Sequence, residues 1–132
     1  MKYIIDTHAF LFSVFNPQKL SKKAEKIILN VENSIYISSI SFWEISLKFT
    51  LGKLDLYKIN PDELPEIANK IGLIYLPLNC EEASSFYKLP KAEHKDPFDR
   101  MLIWQTIKND MILISKDSGF KEYFDIGLHV VW

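Results

Sequence analysis

Short apolar runs alternate with helix-periodic segments from one end of this chain to the other, and that alternation leaves few folds open. Tyr3-Ile4-Ile5, Ile35 to Ser38, Leu73 to Leu76, Met111 to Ser115 and Leu128 to Val131 read as strands. Thr7 to Phe15 has helical spacing and is stopped by Asn16-Pro17. Ser21 caps a predicted helix to about Glu32, with Ala24, Ile27, Ile28 and Val31 on its inner face. Further helices are predicted from Ser41 to about Leu51, from Asp62 to Ile71 after Pro61, from Glu81 to Tyr87, and from Pro97 to about Asn109. Gly52 and Gly72 close the first two of these. Parallel neighbours need crossover connections, so the pattern predicts a mainly parallel sheet of about five strands, helices on both faces, in an α/β/α sandwich. The strands lack polar alternation, as expected when both faces are covered. The 132 residues suit one domain, 1–132. In such sheets ligands bind beyond the carboxyl ends of the strands, where strand order reverses.

Composition narrows the chemistry. The four glycines are Gly52, Gly72, Gly119 and Gly127, too far apart for either common glycine-rich phosphate loop. A single Cys80 excludes an internal disulfide and a cysteine-cluster zinc site. His8, His94 and His129 are scattered, which argues against a multi-histidine metal site. Net charge is −1, so there is no global basic signal for nucleic acid, although a small chain can carry a local basic rim. The start is too short in apolar residues for a signal peptide and no run is long enough to span a bilayer. With a lone thiol, the expectation is a cytoplasmic protein with no membrane partner.

Chemistry therefore falls to carboxylates. Asp6 follows the first strand and Asp117 the fourth, so neighbouring strands would project both over one end of the sheet. Glu44 stands in the helix after the second strand, and Asp99 at the start of the helix that feeds the fourth. Each acid also has a plain structural role open to it. Ser41-Phe42-Trp43-Glu44 reads as a capping box. Asp96 before Pro97 reads as an N-cap, and Asp99 then favours the helix dipole. Asp6 can end a strand, and Asp117-Ser118-Gly119 can be a turn. Convergence is what argues for function. Two carboxylates about 6 Å apart repel by roughly 3 kcal/mol at an effective dielectric of about 20. Several in one cleft need a cation to stay ionised. Hard oxygen ligands without paired His or Cys suit Mg²⁺ or Mn²⁺, ions that activate water for phosphoryl chemistry.

Ile5-Asp6-Thr7-His8, Ser41-Phe42-Trp43-Glu44-Ile45 with Leu51-Gly52-Lys53-Leu54, His94-Lys95-Asp96-Pro97-Phe98-Asp99-Arg100 and Ile114-Ser115-Lys116-Asp117 resemble the PIN-domain ribonucleases, and among them the VapC toxins of toxin–antitoxin pairs. The likeness runs through nearly the whole chain in order and spacing. It implies a PIN-like α/β/α fold and an endoribonuclease, dependent on Mg²⁺ or Mn²⁺, that hydrolyses RNA phosphodiester bonds with a metal-activated water. It also implies a cognate VapB-like antitoxin and often a homodimer. Carried over residue by residue, the catalytic and metal-binding acids are Asp6, Glu44, Asp99 and Asp117, with Asp6 and Asp99 as direct ligands. Asp96 is an extra acid, expected to cap or to support the site from outside. Thr7 and Ser115 match small hydroxyls that would orient Asp6 and Asp117, or simply satisfy backbone groups. Trp104 departs from the pattern, standing where the family often has a small residue, and is expected to affect packing or a dimer surface.

Substrate phosphates need cations. Lys91, His94, Lys95 and Arg100 surround the third acid, and Lys48 and Lys53 follow the second, so together they are candidates for an RNA-binding rim. The plain alternative is a solvated face, with Arg100 paired to an acid; His8 reads as a packed or hydrogen-bonded side chain. Phe10, Phe12, Phe42, Trp43, Phe49, Phe98 and Trp104 read mostly as core. Aromatics make up 14% of the chain, enough that some should cover a partner surface, placed by expectation between Ser21 and Gly52. Two rivals stand beside the nuclease: a PIN-like module that binds RNA or protein without cutting, and a receiver-type phosphoacceptor domain. The receiver would need paired acids after the first strand, where only Asp6 stands.

Overall fold

The computed structural model describes residues 1–132. Five parallel strands form one sheet: β1 (Lys2–Ile5), β2 (Ser34–Ser38), β3 (Ile74–Leu76), β4 (Ile112–Ile114) and β5 (Val130–Val131). Their order is β3-β2-β1-β4-β5. The order reverses at β1, so the switch point lies between β1 and β4. This differs from the 2-1-3-4-5 order of receiver domains, which removes that rival. The helices are α1 (Thr7–Phe15), α2 (Lys22–Leu29), α3 (Ser39–Thr50), α4 (Leu64–Lys70), α5 (Cys80–Ser85) and α6 (Pro97–Lys108). None is long and apolar enough to cross a membrane.

Side chains alternate across the pleat and divide the core in two. Tyr3 and Ile5 of β1, Ile35 and Ile37 of β2, and Ile114 of β4 pack with Phe10, Ala24, Ile45, Leu64 and Ala68 of α1 to α4. Ile4 and Leu113 face the other way, against Ile103 and Trp104 of α6 and against Phe120 and Tyr123. That is the three-layer α/β/α sandwich expected from the alternation.

The differences from expectation are local. The α2 helix stops at Leu29 rather than near Glu32, because Asn30 turns the chain: its side chain accepts from the Glu32 N–H, and Asn33 bonds back to the Ile27 carbonyl. Val31, expected on the inner face, is 97% exposed. The α3 helix begins at Ser39 and not at Ser41. Ser38 is its cap, accepting from the Ile40 N–H while donating to Oε1 of Gln105. Strand and helix therefore join without a loop, and Ser41 lies inside the helix. Residues Ser118–Ile126, read as a turn at their start, form a long 3₁₀ stretch capped by Asp117. For Trp104 the packing reading is the one that holds: it is buried, and its Nε1–H donates to Ser85 Oγ at 3.1 Å. Trp43 and Phe49, expected in the core, are exposed.

Candidate active site

The first strand and the first helix meet at Asp6. Its backbone N–H donates to the Ile114 carbonyl at 3.0 Å, tying the end of β1 to the end of β4. Its side chain caps α1, accepting from the Ala9 N–H at 2.8 Å. The Asp6 pKa is raised to about 6: burial and, less, the nearby Asp99 charge push it up, against the opposing pull of Ser115, the Ala9 N–H and His8. This carboxyl is thus a strand end and a helix cap, and it is also held in a low-dielectric position facing another acid.

Asp99 comes from the first turn of α6. Asp96 caps that helix through the N–H groups of Phe98 (2.9 Å) and Asp99 (3.2 Å), so Asp96 sets the start of the helix and supports Asp99 from behind. Burial raises the Asp99 pKa; Asp96 and Glu44 add to the rise, while His94 opposes it with Nε2 3.0 Å from Oδ2. Asp117 follows β4, is exposed, and accepts from the Gly119 N–H at 2.8 Å. His94, Asp99 and Asp117 each present one ligand atom, all within 4.8 Å of one another. Asp6 and Asp117 also line an open cavity of about 230 Å³ with His8, Phe12 and Lys116.

Glu44 is held differently. It is buried mid-helix in α3, so the capping-box reading with Ser41 does not apply. Thr7 Oγ1 donates to its Oε1 at 2.6 Å, and the Lys48 ammonium pairs with Oε2 one turn on. Burial works to lower the Lys48 pKa, but the Glu44 hydrogen bond and the charges of Glu44, Asp96 and Asp99 outweigh it and leave it raised. Lys48 is therefore a resident cation among the acids rather than a free rim group.

Of the two supporting hydroxyls, Thr7 serves another acid than expected, and Ser115 serves Asp6 as well as the Asp117 backbone. Thr7 holds Glu44, not Asp6, and shares a 3.0 Å contact with Ser41 Oγ. Ser115 serves Asp6, while its oxygen accepts the Asp117 backbone N–H at 3.1 Å. The reason is direction: Thr7 opens α1 facing α3, whereas Ser115 directly follows β4 beside β1.

Of the rim candidates, Lys91, Lys95 and Arg100 line a separate cavity of about 280 Å³ with Ala92. Arg100 is not paired to an acid. It donates to the Pro90 carbonyl and to the Tyr123 hydroxyl, at 3.1 and 2.8 Å. His94 lies among the acids instead of on the rim. Sequence reading missed the Glu44–Lys48 pair, although its i,i+4 spacing was a usable signal. It also missed Glu122, whose carboxylate accepts from the N–H groups of Glu93 and His94; no local pattern linked those segments.

Similar structures exist at low sequence identity. VapBC2 from Rickettsia felis, solved bound to a DNA fragment from its promoter, superposes with a TM-score of 0.68 at 17% identity, covering 100% of this chain and 99% of that one. VapBC-1 from nontypeable Haemophilus influenzae gives 0.63 at 15% identity, over 99% and 97% of the two chains. FitAcB from Neisseria gonorrhoeae gives 0.63 at 15% identity, over 98% and 96%. No curated protein matches the sequence itself. These likenesses speak to the fold. The sequence evidence is a match to the model of the PIN domain over residues 3–124, a span that takes in every acid described above. The strand order, the acids at the switch point and this match agree, and the chain belongs to the PIN domain family.

Proposed function

We propose that this chain is a divalent-metal-dependent endoribonuclease acting as the VapC-type toxin of a toxin–antitoxin pair. One observation carries the reading. Three distant segments supply the acids: Asp99 and Asp117 present ligand atoms within 4.8 Å of each other and of His94, Asp6 lines one cavity with Asp117 beside the switch point between β1 and β4, and the Asp99 charge raises the Asp6 pKa. Gathering like charges at one place costs free energy, and a hard dication offsets their repulsion.

The donor set fits such an ion. Asp6, Asp99 and Asp117 would hold Mg²⁺ or Mn²⁺, with Glu44 completing the site through its buried carboxylate. A bound ion of this kind supplies an activated water and neutralises charge at the phosphoryl group. The chain's own residues do the positioning. Ser115 and the Ala9 N–H orient Asp6, Thr7 and Lys48 fix Glu44, and the Asp96 cap sets the direction of Asp99. Thr7 and Ser115 are both engaged in holding acids, so neither hydroxyl is poised as a nucleophile. Lys91 and Lys95, exposed beside the α6 start, are the candidates to hold the RNA backbone.

Partnership is supported on two sides. The similar structures carry the two-component names VapBC and FitAcB, and Leu29 of α2, Trp43, Leu47 and Phe49 of α3 and Leu51 just after it are exposed. Apolar side chains in that number are what an antitoxin segment or a second copy covers.

The test is cleavage of labelled RNA by the purified chain with Mg²⁺, Mn²⁺ or EDTA. Cutting is expected with either ion and none with EDTA, giving 5′-phosphate and 3′-hydroxyl ends. Supporting groups around a metal typically contribute about 10–100-fold, so losing a ligand in Asp99→Asn should lower the rate by at least about 100-fold. RNA binding without cleavage under every condition would instead favour the non-cutting module.

A further inference from the structure

We propose that the His94 imidazole is itself a ligand of the divalent ion, beside Asp99 and Asp117, and that it biases the site toward Mn²⁺ and Co²⁺ over Mg²⁺. This rests on the reading of the acidic centre as a dication site and adds to it a nitrogen donor.

The first argument is distance. His94 Nε2 lies 3.0 Å from Asp99 Oδ2, and His94, Asp99 and Asp117 offer ligand atoms within 4.8 Å of one another. Ligands on opposite sides of one ion, each about 2.2 Å from it, stand about 4.4 Å apart. The three groups are thus close to the spacing that one ion imposes.

The second argument is how firmly the ring is placed. Glu122 grips its loop from outside, accepting from the N–H groups of Glu93 and His94, both at 3.1 Å. The Tyr123 hydroxyl donates to the His94 carbonyl at 3.1 Å and is itself held by Arg100 at 2.8 Å. The ring stands edge-on to Phe120, centroids 5.2 Å apart and planes at 86°. Gly119 leaves the space for it: a Cβ there would come within 2.9 Å of His94 Nδ1 and 3.1 Å of Asp117 Oδ1. A histidine that only paired with an acid would gain little from such bracing. Bracing from behind is what orients a metal-binding imidazole.

The third argument is the lone pair. Nδ1 has no hydrogen bond in the protein, so a neutral ring can carry its proton there and present the Nε2 lone pair beside Asp99. Imidazole nitrogen favours transition ions, whereas Mg²⁺ prefers an all-oxygen set.

Calorimetric titration of the whole chain with Mn²⁺, Co²⁺ and Mg²⁺ tests this, together with electron paramagnetic resonance of the Mn²⁺ complex. His94→Gln is expected to weaken Mn²⁺ and Co²⁺ binding about 10-fold or more, with Mg²⁺ changed by less than about 3-fold. Nitrogen hyperfine coupling to Mn²⁺ should be present in the parent chain and absent in the variant. Gly119→Ala, whose backbone needs no left-handed conformation, should push the ring aside and give the same loss. If the parent chain binds Mn²⁺ without nitrogen coupling, or His94→Gln leaves the Mn²⁺ to Mg²⁺ ratio unchanged, this inference is overturned while the acidic centre stands. If the parent chain binds none of the three ions, the dication reading falls, and this one with it.

Discussion

Asp6→Asn is expected to melt at a higher temperature than the parent chain in EDTA at pH 8, and to be inert toward RNA. The carboxyl is ionised at that pH in both folded and unfolded chains, but burial has raised its folded pKa from 3.8 to about 6. Each unit of pKa is worth about 1.4 kcal/mol, so keeping Asp6 charged costs the folded state about 3 kcal/mol. Asn removes the charge and keeps an oxygen to accept from Ala9, so the cap survives. Part of the gain is lost with the Ser115 contact, leaving a net stabilisation of about 1–3 kcal/mol, or several degrees. The pH dependence has a definite sign. The folded state binds the Asp6 proton more tightly, so the parent chain loses stability as pH rises from about 4 through about 6. The advantage of the variant should therefore vanish near pH 4 and be complete by about pH 7. Mn²⁺ should reverse the ranking, since an ion at 100 times its dissociation constant adds about 2.7 kcal/mol to the chain that binds it. Scanning calorimetry at both pH values, with EDTA and with Mn²⁺, reads all of this. A variant less stable than the parent at pH 8 in EDTA would contradict the account of Asp6.

A large loss of stability is expected from Glu82→Gln, although it changes almost no volume. Glu82 is 2% exposed and faces no cation. Its Oε1 accepts from the Asn79 N–H and from Gln105 Nε2, and its Oε2 from Asn109 Nδ2 at 2.7 Å. Gln105 cannot turn its amide to help, because its own oxygen already accepts from Ser38. Glutamine at 82 must therefore point an NH₂ at another NH₂. A hydrogen bond to a charged group contributes about 1.5–3 kcal/mol, and leaving buried donors unpaired adds to that, so about 2–4 kcal/mol should be lost. Its neighbour Glu81 is the control: it is exposed, bonded to Lys108 at the surface, and Glu81→Gln should cost under about 1 kcal/mol. Urea unfolding of the two variants measures the difference, and equal midpoints would show that the buried network carries no weight.

Much of this architecture was legible in the residues alone, for a reason the structure makes plain. The sheet positions are unbroken apolar runs, and Asp6 and Asp117 follow directly from two of them, so periodicity located both strands and acids. What escaped was decided by contacts between distant segments. Ser38, Ser39 and Ser41 are all acceptable caps by local rules, and Gln105, 67 residues away, helps fix Ser38. Thr7 and Ser115 were recognised as supports, but which acid each serves depends on which elements stand opposite. Arg100 has the composition of a phosphate binder, yet Leu89, Pro90 and Tyr123 take up its guanidinium. The placing of His94 needed Glu122 and Phe120, which no spacing rule connects to it.

The sheet order has a consequence for how such a protein comes off the ribosome. β1 leaves first, yet its partner on one side is β4, and the whole middle of the chain must be made before that edge is filled. Until then the nascent chain can pair β1, β2 and β3 but has neither Asp99 in place nor Asp117 at all. Closure of so long a loop is slow compared with local helix formation. The acids of the switch point are thus assembled late and all at once, after every other strand but β5 has been made.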